Sequence, residues 1–211
     1  MEFQNYTAHQ SDWISFLLIT VVFAYGLLHF IGAYQIKSAF SLLFSRDTTR
    51  KQYSPTLKII LNANTLTVLG LFIYEGIEYF NPSLEMNYLV FLRIVFGIMV
   101  LVGLQKLIIL LHSGITSTVD FFKNYLATQN QFAHLASVVT IPLLILSIYS
   151  NTLNQFFLFA GATVFGGIYL FGILKSIALS NRIKGPLKLH LIFYLCGNEI
   201  LPFFLFYKIL I

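Results

Sequence analysis

Long apolar stretches separated by short polar segments run through almost the whole sequence. A helix needs about 20 predominantly apolar residues to cross the hydrocarbon core of a bilayer. Because the backbone must satisfy its own hydrogen bonds in lipid, these stretches predict helices rather than open strands. The pattern predicts an all-α membrane protein that forms a single integral membrane domain over residues 1–211, with six transmembrane helices at 13–34, 57–80, 87–112, 130–149, 153–179 and 187–210.

The composition supports a multi-pass membrane protein and excludes an ordinary soluble domain. Apolar residues make up 57% of the chain and charged residues only 10%, whereas soluble domains are typically about 25% charged. The net charge of +5 does not indicate nucleic-acid binding, because the basic residues lie beside the apolar stretches, where membrane topology explains them. We therefore expect the lipid bilayer, and no nucleic acid, as a partner.

The distribution of Lys and Arg predicts the orientation. The short connections at 81–86 and 150–152 contain neither residue, and we expect both to be tight hairpins. The other three connections and their flanks hold most of the basic charge: Lys37, Arg46, Arg50, Lys51, Lys58, Lys106, Lys123, Lys175, Arg182, Lys184 and Lys188. By the positive-inside rule these loops face the cytoplasm, so both termini are predicted outside.

Two segments of the predicted cytoplasmic loops combine apolar and charged residues in the manner of interfacial helices. Residues 36–44 place an apolar stripe beside Lys37, and residues 119–126 do the same around Asp120 and Lys123. We predict short interfacial helices at both positions. They would be anchors at the membrane surface or docking surfaces for another protein.

Glu199 lies near the middle of the last predicted span, where an ionisable side chain is costly and usually faces the bundle interior, a water cavity or a partner. Pro202 cannot donate a hydrogen bond to the carbonyl of Asn198, so an acceptor is freed beside the carboxyl group. Asn198 and Glu199 thus form a candidate polar site for carrying a proton or binding a cation. The structural alternative is a protonated Glu199 hydrogen-bonded to a neighbouring helix.

A second candidate polar site lies beside the hairpin at 81–86. Glu75 and Glu78 are one helical turn apart on the second span, and Arg93 is on the third span at a depth similar to that of Glu75. An Arg and a carboxylate stabilise each other's charged forms in a medium of low dielectric constant. The group is a candidate structural ion pair or, because one Arg cannot compensate two carboxylates, a gated ion or proton site.

Four histidines fall in the cytoplasmic half of different predicted spans: His29, His112, His134 and His190. Imidazoles on facing helices can bind a metal or a haem iron. No two of these histidines have the i, i+4 spacing of a helical metal motif, so they are only weak candidates, and no metal or cofactor is predicted. The alternative is a set of interfacial or hydrogen-bonded structural histidines.

Small residues recur along the fifth span at Gly161, Ala162, Gly166, Gly167 and Gly172. Small side chains allow helices in a membrane to approach closely. We expect these positions to serve helix packing.

The segment 188–208 contains Lys188-Leu189-His190, then Tyr194-Leu195-Cys196, and then Glu199-Ile200-Leu201-Pro202, and it ends at Tyr207-Lys208. This segment resembles the closing part of an uncharacterised family of multi-pass membrane proteins, a family of unknown function from Bacteroidota. The resemblance implies a Gram-negative inner membrane and marks the motif residues His190, Cys196, Glu199 and Pro202. It implies no activity for any of them.

The functional expectation follows from two features of the sequence. Little of the chain lies outside the predicted spans, and the common catalytic motifs are missing. The chain contains no phosphate-binding Walker pattern, no zincin motif and no G-x-S-x-G nucleophile context. We expect a non-enzymatic subunit or accessory factor that acts with a membrane-protein partner or as a homo-oligomer, although the sequence does not exclude an enzyme. The alternatives are a small proton- or ion-coupled transporter or channel using the intramembrane carboxylates, and a haem- or metal-binding membrane protein.

Overall fold

The computed structural model describes residues 12–31, 54–84, 86–115, 119–150 and 152–179. These residues form five α-helices: α1 (Asp12–Phe30), α2 (Pro55–Phe80), α3 (Tyr88–Ile115), α4 (Val119–Tyr149) and α5 (Asn154–Leu179). All five are long and apolar enough to cross a membrane. The described part of the chain is therefore that of an all-helical, multi-pass membrane protein.

Each of the first five predicted spans corresponds to one of these helices. The sixth predicted span, 187–210, and the first predicted interfacial segment, 36–44, lie outside the described residues. The short connections predicted at 81–86 and 150–152 join α2 to α3 and α4 to α5, respectively.

Local capping explains where several helices begin. The hydroxyl of Ser54 accepts a hydrogen bond from the amide of Leu57, and Pro55 occupies the first turn, where its missing N–H costs nothing. The side-chain oxygen of Asn87 accepts from the amide of Val90 at the start of α3. The capping residues are thus polar side chains that directly precede an apolar run, as the sequence pattern requires.

Helix α4 begins at Val119 and not near Asn130, where the fourth span was predicted to start. Its first turns pack against the far part of α3, because Phe122 and Tyr125 are buried with Ile109 in a small apolar cluster. The prediction of a separate interfacial helix at 119–126 is therefore wrong. An apolar stripe with flanking charges suits either a lipid surface or a neighbouring helix, and here the neighbour is α3.

The helices alternate in direction, as the two short connections require. Trp13 at the start of α1 packs against Tyr74 near the end of α2, with ring centroids 5.3 Å apart, and against Tyr88 at the start of α3, with centroids 5.6 Å apart. Ser15 of α1 is hydrogen-bonded to Tyr149 at the end of α4. We call this side of the bundle, which holds both short connections, the hairpin end.

A shared apolar core joins all five helices, with α4 and α5 in the most extensive contact. Among its most deeply buried members are Leu18 of α1, Leu61, Val68 and Leu71 of α2, and Leu135 and Leu144 of α4. Because lipid tails are as apolar as these side chains, close van der Waals packing rather than water exclusion holds such helices together.

Glycines permit the closest helix approaches. A Cβ atom added at Gly161 would lie 2.6 Å from the ring of Phe72, and one added at Gly172 would lie 2.5 Å from Cβ of Phe132. By contrast, nothing lies within 4 Å of a Cβ added at Gly166 or Gly167. The small residues of α5 thus divide into positions that pack against another helix and positions that leave open space.

Candidate functional site

A partly open cavity of about 600 Å³ lies among α2, α3, α4 and α5. This volume is within the range of roughly 300–1,000 Å³ that is usual for ligand pockets. Most of its wall is apolar, with side chains that include Leu66, Leu69, Phe72, Ile98, Val102 and Phe165. The cavity is the candidate functional site because polar side chains from all four helices converge on it.

The polar side chains of the cavity come from short stretches of the four helices. They are Asn62 and Thr65 of α2, Gln105 and Lys106 of α3, Gln129, Asn130 and His134 of α4, and Tyr169 of α5. Lys106 is 18 residues from the start of α3, which corresponds to about 27 Å at a rise of about 1.5 Å per residue. The cationic part of the cavity wall therefore lies far from the hairpin end.

His134 is only 4% exposed and belongs to a hydrogen-bond network that ties three helices together. Its Nδ1 lies 2.8 Å from Oγ1 of Thr65 on α2. Oγ of Ser137, one turn further along α4, lies 3.3 Å from the same Thr65 oxygen and 2.6 Å from the hydroxyl of Tyr25 on α1. The network fixes the imidazole ring at the wall of the cavity.

The direction of the hydrogen bonds in this network is tied to the histidine tautomer. The Thr65 hydroxyl is placed to donate to the carbonyl of Leu61, and the Ser137 hydroxyl to the carbonyl of His134. When each hydroxyl gives its single proton to its carbonyl, Thr65 accepts from Nδ1–H of His134. The neutral imidazole then carries its lone pair on Nε2, for which the described residues provide no hydrogen-bond partner. His134 thus brings a hydrogen-bond acceptor to the cavity wall.

Gln105 lines the cavity and has a buried amide nitrogen, Nε2, without a hydrogen-bond partner among the described residues. The residue is 9% exposed. An unsatisfied buried polar group costs about 1–3 kcal/mol.

Lys106 is half-buried at the cavity wall and lies within electrostatic range of His134. Of the carboxylates, Asp12, Glu75 and Glu78 lie towards the hairpin end, far along the bundle from Lys106, whereas Asp120 lies in the first turn of α4, on the same side of the bundle as Lys106. No salt bridge to Lys106 forms among the described side chains. The ammonium group is therefore a cation near the far end of the α3 span that a bound anion could neutralise.

Two glycines keep part of the cavity empty. Gly103 of α3 and Gly166 of α5 both line it, and a Cβ atom added at either would have nothing within 4 Å. On the adjacent position of α5, Gly167 also faces open space but does not line the cavity. A Cβ atom at Gly166 would therefore enter open space at the cavity wall.

The structure shows no salt bridge within the predicted group of Glu75, Glu78 and Arg93, among the described side chains. Glu75 and Glu78 are half-buried on α2, whereas Arg93 is exposed on α3. Their side chains form no salt bridge in the described part of the chain. The two acidic residues remain a candidate polar site, without Arg93 as their partner.

The predicted site at Asn198 and Glu199, and the motif residues His190, Cys196 and Pro202, lie outside the described residues. Of the four weak metal candidates, His29 is exposed and His134 is buried, and His190 and the side chain of His112 lie outside the described part. The described residues contain no group of three or more His, Cys, Asp or Glu side chains placed to hold a metal ion.

Sequence reasoning missed most of the cavity residues. His134 was a weak candidate for a metal ligand, and Lys106 was read only as a signal of orientation. Isolated polar residues within apolar helices could have indicated a common interior surface, since each polar side chain needs a hydrogen-bond partner within the bundle. These residues are Asn62, Thr65, Gln105 and Gln129. Their convergence on one cavity depends on helix rotations that a single sequence does not specify.

The fold and the cavity define a multi-pass membrane protein with a partly polar interior. The model for the family described as "Domain of unknown function (DUF4271)" matches residues 13–210. The chain belongs to this family, in agreement with the resemblance to an uncharacterised family. No curated protein and no solved structure matches the chain.

Proposed function

We propose that this protein is a non-enzymatic subunit or accessory factor of a complex in the inner membrane of a Gram-negative cell, with its basic loops in the cytoplasm. The distribution of Lys and Arg supports the orientation. The family resemblance supports the inner membrane, and the small soluble mass of the chain supports a role within a larger assembly.

The observation that carries the proposal is the position of Arg93. Its side chain is exposed on α3, beside Leu89, Leu92 and Phe96, which are all exposed as well. None of the described carboxylates forms a salt bridge with it. A guanidinium group on an apolar, membrane-spanning surface is usually paired or directed to the interface. An acidic or otherwise hydrogen-bonding group of a partner protein would satisfy Arg93 there.

Arg93 also has a second way to avoid lipid. It is five residues from the start of α3, and the distance of about 8 Å to the helix end is short enough for a long side chain to snorkel. The two roles differ in their consequences, because snorkelling requires no partner whereas a paired guanidinium contributes to an interface.

Co-purification tests the proposal. The tagged protein is isolated from its native membrane in mild detergent, and stoichiometric partners are identified by mass spectrometry. We expect a reproducible partner with the wild type, and at least about tenfold less of it with Arg93→Gln, since losing one partner of a buried charged pair costs 2 kcal/mol or more. Lys58→Gln, which removes a positive charge at the exposed start of α2, is the matched control and should retain the partner.

One result would contradict the proposed role as a subunit, and another would contradict the role assigned to Arg93. A wild-type protein that migrates as a lone monomer, with no stoichiometric partner, would refute the role as a subunit. A partner that Arg93→Gln retains in full would support a complex but would show that Arg93 snorkels.

Glu75 supports a second candidate, a small proton- or ion-coupled transporter or channel. Its side chain is half-buried within the apolar helix α2, one turn from Glu78, and no described cation forms a salt bridge with it. Such a carboxyl group could take up and release a proton or a cation. Proteoliposomes containing a pH-sensitive dye should show a flux that Glu75→Gln abolishes and that Asp12→Asn, at the start of α1, preserves. Wild-type protein without flux would rule out proton transport.

A further inference from the structure

We propose that the cavity among α2, α3, α4 and α5 binds one anionic amphiphile from the bilayer, with its acidic head group at Lys106 and His134. The acyl chain would lie along the apolar part of the cavity wall. This inference goes beyond a role as a subunit or accessory factor and does not depend on it.

The walls of the cavity match the two parts of such a molecule. Leucine, isoleucine, valine and phenylalanine side chains form most of the lining, and Gly103 and Gly166 leave space along it. Polar residues from four helices converge on the same chamber. A largely apolar chamber with a few placed polar groups suits a ligand with a long tail and a small polar head.

The polar groups favour an acidic head over a neutral one. Lys106 provides a positive charge that forms no salt bridge among the described side chains. Its ammonium group donates to oxygen. Phosphate and carboxylate oxygens accept such charge-assisted hydrogen bonds, and an ester or a hydroxyl group alone would leave the ammonium charge uncompensated.

His134 adds selectivity for a head group that also has a hydroxyl proton. In the neutral tautomer whose Nδ1–H donates to Thr65, the Nε2 atom can only accept from the ligand. A glycerol hydroxyl group or a protonated phosphate or carboxyl oxygen supplies this proton. The shared chemistry is therefore that of an acidic phospholipid or a fatty acid.

The membrane setting identifies the source of the occupant. The four helices that line the cavity are all long and apolar enough to span a membrane, so lipid surrounds them at high local concentration. The competing occupant is residues 187–210 of the chain itself, whose Glu199 could neutralise Lys106. The experiment distinguishes these two occupants.

Photolabelling in lipid nanodiscs tests the proposal. The full chain is reconstituted in phosphatidylcholine nanodiscs that contain a trace of one probe with a diazirine in its acyl chain: phosphatidylglycerol, a free fatty acid or phosphatidylcholine. After irradiation, labelled peptides are mapped by mass spectrometry. We expect saturable labelling of cavity-lining residues by phosphatidylglycerol, the fatty acid or both, and only non-saturable labelling by phosphatidylcholine.

Matched variants separate the site from the general lipid surface. Lys106→Gln should lower the saturable labelling about fivefold, the effect expected from one cationic side chain acting on an acidic lipid. Lys58→Gln should leave it unchanged. Gly166→Leu, which adds a side chain at the cavity wall, should lower it, and Gly167→Leu, which adds the same side chain at the neighbouring position outside the cavity, should preserve it. Retained thermal stability of each variant confirms that it is folded.

Comparing the phosphatidylglycerol probe with the fatty-acid probe shows whether the bound head group is a phosphate or a carboxylate. Three results would overturn the proposal. The first is equal saturable labelling by phosphatidylcholine, since Lys106 would then select no charge. The second is the absence of saturable labelling of the wild type. The third is an amide cross-link between Lys106 and Glu199 after carbodiimide treatment, which would assign the ammonium group to the chain's own carboxylate.

Discussion

At the scale of single residues, the hydrogen bond between Thr65 and His134 engages Nδ1 of the imidazole ring and leaves Nε2 as the ring nitrogen that a ligand in the cavity could contact. When Thr65 and Ser137 donate to carbonyls of their own helices, they accept from neighbouring side chains. A polar residue in a membrane helix thus acts here as an acceptor that fixes a tautomer, in addition to joining two helices.

Removing the Thr65 hydroxyl should loosen this arrangement. Thr65→Val keeps the shape of the side chain but leaves Nδ1–H of His134 without its acceptor, and we expect a loss of about 0.5–2 kcal/mol in the free energy of unfolding. Thr67→Val is the control, because the Thr67 hydroxyl donates only to the carbonyl of Ala63 within its own helix. Unfolding equilibria in detergent measure both, and equal losses for the two variants would contradict the role of Thr65.

At the scale of helices, α5 shows that small residues in one stripe serve two purposes. Gly161 and Gly172 lie against aromatic side chains of α2 and α4, whereas Gly166 borders the cavity. Close packing on both sides of an open position keeps the cavity from collapsing onto α5.

The two kinds of glycine should respond to alanine with opposite signs. Gly172→Ala places a methyl group against Cβ of Phe132, an atom that cannot move away without the backbone, and we expect it to destabilise the protein by about 1–3 kcal/mol. Gly167→Ala meets no neighbour and should stabilise by up to about 1 kcal/mol through helix propensity. Thermal unfolding in detergent is the measurement. Destabilisation by Gly167→Ala as large as that by Gly172→Ala would show that the distinction is wrong.

The sequence predicted the helices better than their contacts. Apolar length was sufficient to predict α2 and α3 closely. The start of α4 was missed because Phe122 and Tyr125 form a stripe that suits either lipid or protein. The pairing of Glu75 with Arg93 was not observed because depth can be counted along a helix, whereas rotation about its axis depends on packing against all neighbours. For the same reason, Lys106 and His134 could not be assigned to one cavity.

At the scale of the whole molecule, the alternating helices place both short connections on one side of the bundle. The absence of Lys and Arg from these connections predicts that this side faces away from the cytoplasm. The cationic wall of the cavity would then lie in the cytoplasmic half of the membrane.

Cysteine labelling in intact cells checks this orientation. Cys196 is the only cysteine, so Cys196→Ser provides a background without thiols. In this background Ser150→Cys, between α4 and α5, should react with a membrane-impermeant maleimide from outside the inner membrane. Ser54→Cys, at the start of α2, should react only after the membrane is permeabilised. The reverse result would invert the predicted topology.

The structure of the wild-type protein in nanodiscs of native lipid, determined by cryo-electron microscopy, tests the central claim most directly. The account predicts an elongated density in the cavity among α2, α3, α4 and α5, with its head within hydrogen-bonding distance of Lys106 and of Nε2 of His134. A cavity filled by residues 187–210, or one that has closed so that the chain itself satisfies the Gln105 amide and the Lys106 ammonium group, would contradict it.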